Sequence, residues 1–455
     1  MGKKLHSAGF GRLIIIITWT LLIALVIMTT GCSEVEETTD KLADYGVFGS
    51  RFALSLARQF PNRSPGSEQE KLAGDLIIRT LTDAGYKPDV KTFFFTDATE
   101  QMRSSRNIIV KIPGSGFVRT DESGNSESFR RQVIVGAHYD TFFSVEDVAA
   151  YKLTVEPTPS PTPRPTGDTT DPDETDDESA DEDETVKEPT LIEYDGIHNN
   201  ASGIGALITL AREINSARLG YDVVIVAFGA GEADQAGARA FADKMTDDEI
   251  AMTDVMYCID SIYAGDKIYA HAGQNSVRGY YRKSYEMRRK LYEVTDVFYE
   301  FELYTNNNYM LYTNQGNYDV TIDGISTPIL YREWTMTVSD YLPFDDLDIP
   351  IVFFESYDYD AKELEDLKES KNPAFTSTSG AIRRTPFDST AYLNMIMNQQ
   401  RRAVQTITGQ TQKQMVDHLT KRINNTAFVI LEAIRKGVHD AEITPDDQDI
   451  TPAAS

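Results

Sequence analysis

Apolar and polar positions follow two alternating rhythms along this chain. In "FGSRFALSLARQF" and "QEKLAGDLIIRTLTDAGY" the apolar residues recur at helical spacing, and "PNRSPGS" between them is loop chemistry. "NIIVKIPG", residues 107–114, and "RQVIVGAHYD" are rich in β-branched residues and predict two strands separated by a polar hairpin loop. Further on, "ASGIGALITLAREIN" reads as an amphipathic helix beginning at a small-residue turn, and "YDVVIVAFGAG" as a buried strand. "RAFADKM" and "VMYCIDSIYAGD" continue the alternation, "IPIVFFES" at 349–356 is another core strand, and residues 388–437 hold one long helix or two. Residues 267–340, crowded with Tyr and Asn, carry no period that assigns them. Helices and strands alternating over this length imply a layered α/β domain with a largely parallel sheet.

Two stretches break the rhythm. Lys3, Lys4 and Arg12 precede "LIIIITWTLLIALVIMTTG", an uncharged run from Leu13 to Gly31, and Cys32 follows it. That order resembles a bacterial lipoprotein signal with Cys32 as the lipidated residue, although Thr29 stands where Leu is usual. An uncleaved anchor is the alternative, since the run is almost long enough to span a membrane. Both readings make residues 1–32 a membrane anchor and 33–45 a spacer, with the body on the extracytoplasmic face of a bacterial cell membrane. Residues 154–190 join Pro/Thr-rich sequence to the acidic "DETDDESADEDE" and cannot bury apolar area, which predicts a disordered insertion. The folded domain is then expected over 46–440, with a disordered tail over 441–455.

Composition narrows the partners. The 455 residues, 41% of them hydrophobic, suffice for a large core. A net charge of −27 argues against nucleic acid and against docking on anionic lipid, even though the insertion concentrates part of it. Of the two cysteines, Cys32 is assigned to lipidation and Cys258 lies in an apolar run, so no disulfide framework is expected.

In α/β sheets, functional groups collect at the carboxyl ends of strands. The polar residues closing the apolar runs here are His138 and Asp140, then Glu232, then Asp260. A His-x-Asp pair at the end of a buried strand offers an imidazole ligand and a carboxylate able to orient it. A metal site is one reading of these four residues. Helix capping, which also places acids after strands, is the other.

The flanking residues add to this. "NRSPGS", "NIIVKIPG", "VIVGAHYDT", "NNASGIGALITLARE", "VIVAFGAGEADQAGARAF", "MYCIDSIYAGD", "SDYLPFDDLDIPIVFF" and "RRTPFDSTAYLN" occur in one order. Together they resemble the co-catalytic zinc aminopeptidases, metallopeptidase family twenty-eight of clan MH, over residues 45–435. The resemblance implies a three-layer α/β/α sandwich around a mixed, mostly parallel sheet. It also implies two zinc ions bridged by one aspartate, with a glutamate as general base. His138 and Asp260 match the ligands of one metal, Asp140 matches the partner that orients His138, and Glu232 matches the carboxylate ligand of the other metal.

The same comparison exposes departures. Asn199 stands at the bridging aspartate, and a neutral amide is a poor bridge between two dications. Gly231 stands at the general base and cannot accept a proton. If the register in "GAGEADQAG" shifts by one, Glu232 becomes the base and the ligand is missing instead. Arg384, directly before "TPFDS", replaces the last His ligand, and a guanidinium there repels a cation. Tyr341 replaces a His that stands behind the ligands.

An Arg384–Glu232 ion pair is expected to fill the second metal's place. The first metal would keep His138 and Asp260, with Asn199 or His198 as a third group, although His198 reads better as a loop histidine. The expectation is therefore at most one zinc ion, or none. It describes a membrane-tethered, zinc-aminopeptidase-like protein, inactive or impaired, that binds a peptide or a protein partner. Two alternatives stand beside it: an active aminopeptidase with a rearranged one-zinc site, and a structural envelope lipoprotein that uses no groove.

Overall fold

Successive residues of a strand point to opposite faces of its sheet, and in this protein both faces are covered. A computed structural model describes residues 45–142, 194–274, 276, 281–306, 309–321, 327, 329–398 and 417–445. Cys32, the anchor segment and the 154–190 insertion lie outside the described residues. The central sheet has eight strands: β1 (Asp89–Thr96), β2 (Met102–Ile112), β3 (Gln132–His138), β4 (Asp222–Phe228), β5 (Thr253–Ile259), β6 (Lys267–His271), β7 (Leu311–Thr313) and β8 (Ile351–Tyr357). Their order is β1-β2-β4-β3-β5-β8-β6-β7. The centre, β4-β3-β5-β8, is parallel, while β1, β2 and β6 are set in antiparallel to their inner neighbours.

Val133, Val135, Val223, Ile225, Tyr257 and Phe354 face one core, covered by α1 (Phe48–Gln59), α2 (Glu68–Asp83), α3 (Ser202–Ile214), α4 (Tyr281–Glu300) and α5 (His418–Arg435). Ile134, Val224, Val226, Met256, Cys258 and Phe353 face the other, closed by the helical segments Ala236–Ala242 and Leu342–Asp346. The result is the expected three-layer α/β/α sandwich. Cys258 is a buried, free core residue, with Sγ 3.8 Å from Ser339 Oγ.

The structure also fills in what periodicity left open. The Tyr- and Asn-rich stretch contains β6, α4, β7 and a hairpin pairing Gln315–Val320 with Ile329–Glu333. The tail expected to be disordered from residue 441 is ordered over residues 441–445, and the rest of it lies outside the described residues. Glu442–Ile443 pair with Phe117 and Val118, at the edge of a small hairpin of Phe117–Thr120 and Ser126–Phe129, and Thr444 N donates to Gly116 O at 3.1 Å. Two residues of edge pairing are too short to leave a pattern in sequence.

One buried side chain ties the end of β3 to the turn before α3. Arg63 donates to Tyr139 O (2.7 Å), Asp195 O (2.7 Å) and Gly196 O (2.6 Å). Beside it, the Tyr194 hydroxyl donates to Phe142 O at 3.0 Å and meets the Thr141 hydroxyl. Gly196, at φ 63°, packs where a Cβ would lie 2.6 Å from Thr141 Oγ1, so this turn demands glycine.

Candidate active site

Three adjacent parallel strands deliver their carboxyl ends to one place. β3 ends at His138, β4 runs into the loop carrying Gly231 and Glu232, and β5 is followed by Asp260. His138 Nε2 lies 3.5 Å from Asp260 Oδ1, and Nδ1 lies 3.1 Å from the Asp140 carbonyl oxygen and 3.4 Å from its carboxylate. Burial would lower the imidazole pKa, but Asp260, Asp140 and Asp340 outweigh it and hold it well above its usual value. The Asp140 carboxylate also accepts the backbone N–H of Gly231 (2.7 Å) and of Glu232 (2.9 Å), so it fixes the β4 loop as well as the histidine.

Glu232 is spoken for at both oxygens. Oε1 accepts from Asn199 Nδ2 at 2.6 Å and Oε2 from Arg384 Nε at 2.6 Å. The ion pair expected between Arg384 and Glu232 is thus present. Asn199 Oδ1 lies 3.3 Å from Ser261 Oγ, and the Asn199 backbone N–H donates to Asp388 at 2.9 Å. Gly231 presses directly on His138: a Cβ there would stand 2.4 Å from His138 Cβ.

A second arginine, which sequence reasoning passed over, holds the other half of the site. Arg383 Nε donates to Glu369 Oε1 at 2.5 Å, Nη2 to Glu355 Oε2 at 3.2 Å, and Nη1 lies 3.6 Å from Asp260 Oδ2. Asp260 is further held by Ser339 Oγ (2.8 Å) and Ser261 Oγ (2.7 Å). Burial alone would raise the Asp260 and Glu369 pKa values, but Arg383 holds both down, Glu369 to about 2. Neighbouring arginines reach opposite sides of the site because Arg384 adopts a left-handed φ of 59°. The doubled Arg in "RRTPFDST" was the available signal, since a buried arginine needs carboxylates nearby.

Two sequence candidates sit elsewhere than a metal site needs. His198 is fully buried, with Nδ1 accepting from Ala264 N at 3.2 Å and Nε2 lying 3.2 Å from Glu369 Oε1. Both ring nitrogens are engaged, and His198 lies not in a loop but in the helical turn Ile197–Ala201 that leads into α3. Tyr341 packs on Phe353 with ring centroids 5.0 Å apart, and its hydroxyl donates to Thr337 O at 2.9 Å, so it belongs to the apolar core behind the site. Asp340 is a further unforeseen neighbour. It is buried with neither carboxylate oxygen hydrogen-bonded, and burial pushes its pKa up to about 7.

These residues do not fit a two-metal centre. The bridging position holds a neutral amide that donates to Glu232, Glu232 faces a guanidinium, and one oxygen of Asp260 is shared between Ser339 and Arg383. Among the described residues, no group of three or more His, Cys, Asp or Glu side chains is placed to hold a metal ion.

Fold and site together define an α/β/α sandwich with a cluster of polar side chains at the carboxyl ends of its central strands. The chain belongs to peptidase family M28, whose profile matches residues 107–400. Membership carries zinc dependence as the general expectation. The chain is 25% identical over 231 residues to the alkaline phosphatase isozyme conversion protein of Escherichia coli K12, a match covering 50% of this chain and 54% of that one. It therefore spans about half the length of this curated relative. Similar solved structures include a Porphyromonas gingivalis glutaminyl cyclase (15% identity, TM-score 0.47, covering 88% of this chain and 100% of that one). A Zn-dependent exopeptidase from Parabacteroides distasonis gives 15% identity and TM-score 0.47, covering 85% and 97%. A zinc aminopeptidase from Bacillus subtilis gives 13% identity and TM-score 0.47, covering 88% and 98%.

Proposed function

We propose that this protein is a catalytically inactive or severely impaired member of its family, tethered to the outer face of a bacterial cell membrane through its N-terminal segment. It keeps the peptidase scaffold to bind a peptide or a partner protein, with at most one zinc ion. The observation that carries this reading is Glu232, whose two oxygens are taken by Asn199 and Arg384. With Gly231 at the base position, no carboxylate remains there to deprotonate a water. Loss of a general base typically costs about 10² to 10⁴ in rate, and loss of metal ions adds to that.

One contact favours a second reading. His138 Nε2 and Asp260 Oδ1 still face each other at 3.5 Å, the beginnings of a one-zinc aminopeptidase site.

The experiment purifies the full chain with zinc present, dialyses it, counts metal by mass spectrometry and assays the same sample on aminoacyl-anilides. No turnover is expected. Two zinc ions per chain with turnover would overturn the proposal, and one zinc with turnover would select the second reading. Membrane tethering is checked by fractionating cells that express the chain with Cys32 or with Cys32→Ala.

A further inference from the structure

We infer that Arg383 is the resident counter-ion of a carboxylate box formed by Asp260, Glu355 and Glu369, so that this half of the site folds without a divalent cation. The inference rests on the reading of the centre as metal-poor and deepens it by naming what stands in for the metal.

Three features point the same way. The guanidinium presents a different nitrogen to each carboxylate: Nε to Glu369, Nη2 to Glu355 and Nη1 to Asp260. All three acids are buried, with side chains no more than 6% exposed, and Arg383 itself is 16% exposed. Carboxylates so placed repel one another unless a cation lies between them.

The remaining partners of the acids are mostly neutral donors. Glu355 accepts from the hydroxyls of Tyr359 (2.8 Å) and Thr337, with His271 Nε2 at 3.0 Å. Glu369 accepts the backbone N–H of Ile382 and of Arg383 (2.9 Å) and faces His198. Arg383 is the group that contacts all three. A lysine would not serve as well, because a point charge on a flexible stem cannot meet three acids at fixed angles. Since Asp260 stands at a position that matches a ligand of the family, the guanidinium forms an ion pair at 3.6 Å with a carboxylate that would otherwise face a metal.

Removing the guanidinium should turn the box into a divalent-cation site, with Asp260, Glu355 and Glu369 as oxygen donors and His198 beside them. Thermal melting of the full chain, with EDTA or with added zinc, tests this. Wild type is expected to melt at one temperature in both conditions and to take up no zinc in this half of the site. Arg383→Met should melt roughly 10 °C lower in EDTA and recover a large part of that loss with zinc. Arg383→Lys should fall between the two. Should Arg383→Met fail to fold, the double variant Arg383→Met/Glu369→Gln, with one fewer carboxylate, takes its place and is also expected to gain stability from zinc.

Wild type losing stability in EDTA overturns the inference. So does Arg383→Met melting with wild type, or a folded variant that gains nothing from zinc. Anilide turnover is read separately. A turning-over wild type with metal-independent melting would sink the proposed function and leave the role of Arg383 standing.

Discussion

Arg384 Nε stands 2.6 Å from Glu232 Oε2, with the glutamate side chain 4% exposed and the arginine 57% exposed. The pair closes the rim of the site from the solvent side, and water can reach the glutamate once the arginine is shortened. Arg384→Ala should therefore cost less than about 1 kcal/mol in urea unfolding. Arg384→His returns an imidazole opposite Glu232 and should bind zinc weakly by calorimetry. It should give no anilide turnover, because Asn199 and Gly231 are unchanged. Turnover by this variant would show that the missing base is dispensable.

Restoring the base alone should fail. A side chain at Gly231 begins 2.4 Å from His138 Cβ and 2.5 Å from its Cγ, and both residues are buried. Gly231→Ala should cost about 1 to 3 kcal/mol, and Gly231→Glu at least as much with no gain in turnover. Melting temperatures of the two variants beside anilide assays check this.

Asp140 accepts two consecutive backbone N–H groups, of Gly231 and Glu232. An asparagine offers one carbonyl acceptor and turns an N–H toward the other donor. Asp140→Asn should cost about 2 kcal/mol. It should also speed hydrogen exchange at the amides of residues 231 and 232 by roughly tenfold or more. Unchanged exchange there would mean that the loop is held by other contacts.

Acid should weaken the centre as its buried carboxylates protonate. The Glu369 pKa is depressed from 4.5 to about 2, chiefly because Arg383 outweighs the effect of burial. A depressed folded-state pKa stabilises the fold fully above the unfolded value and loses that contribution as pH falls toward 2. Stability should accordingly decline between pH 4.5 and 2, with Glu369 supplying on the order of 3 kcal/mol of the change. Glu369→Gln should flatten the decline, measured as unfolding free energy against pH.

The legible parts of this fold were those whose residues carry their own pattern. β3, β4, β5 and β8 are continuous β-branched and aromatic runs because both of their faces are buried, and their ends pointed to His138, Asp140, Glu232 and Asp260. The Arg384–Glu232 pair was legible because each residue replaces or retains a position of known charge. Edge strand β1 was not, since most of its residues are exposed and no alternation marks an inner face. β6 and β7 are five and three residues long, too short for a period to declare itself.

Arg383 was hidden for a different reason. Its partners, Asp260, Glu355 and Glu369, are brought together from separate strands and loops. Glu355 looks like the polar end of an apolar strand, and Glu369 like one charge among several in "LKESKN". Only the fold reveals that these acids converge.

Arg63 grips Tyr139 on one side of residues 143–193 and Asp195 and Gly196 on the other, while Tyr194 meets Thr141 and Phe142 directly. The two ends of that segment are thus pinned together by the domain itself, much as a key ring is closed whatever hangs from it. Arg63 thus ties the end of the His138 strand to the turn that opens the Asn199 segment, so one buried guanidinium sets how two walls of the candidate site stand to each other.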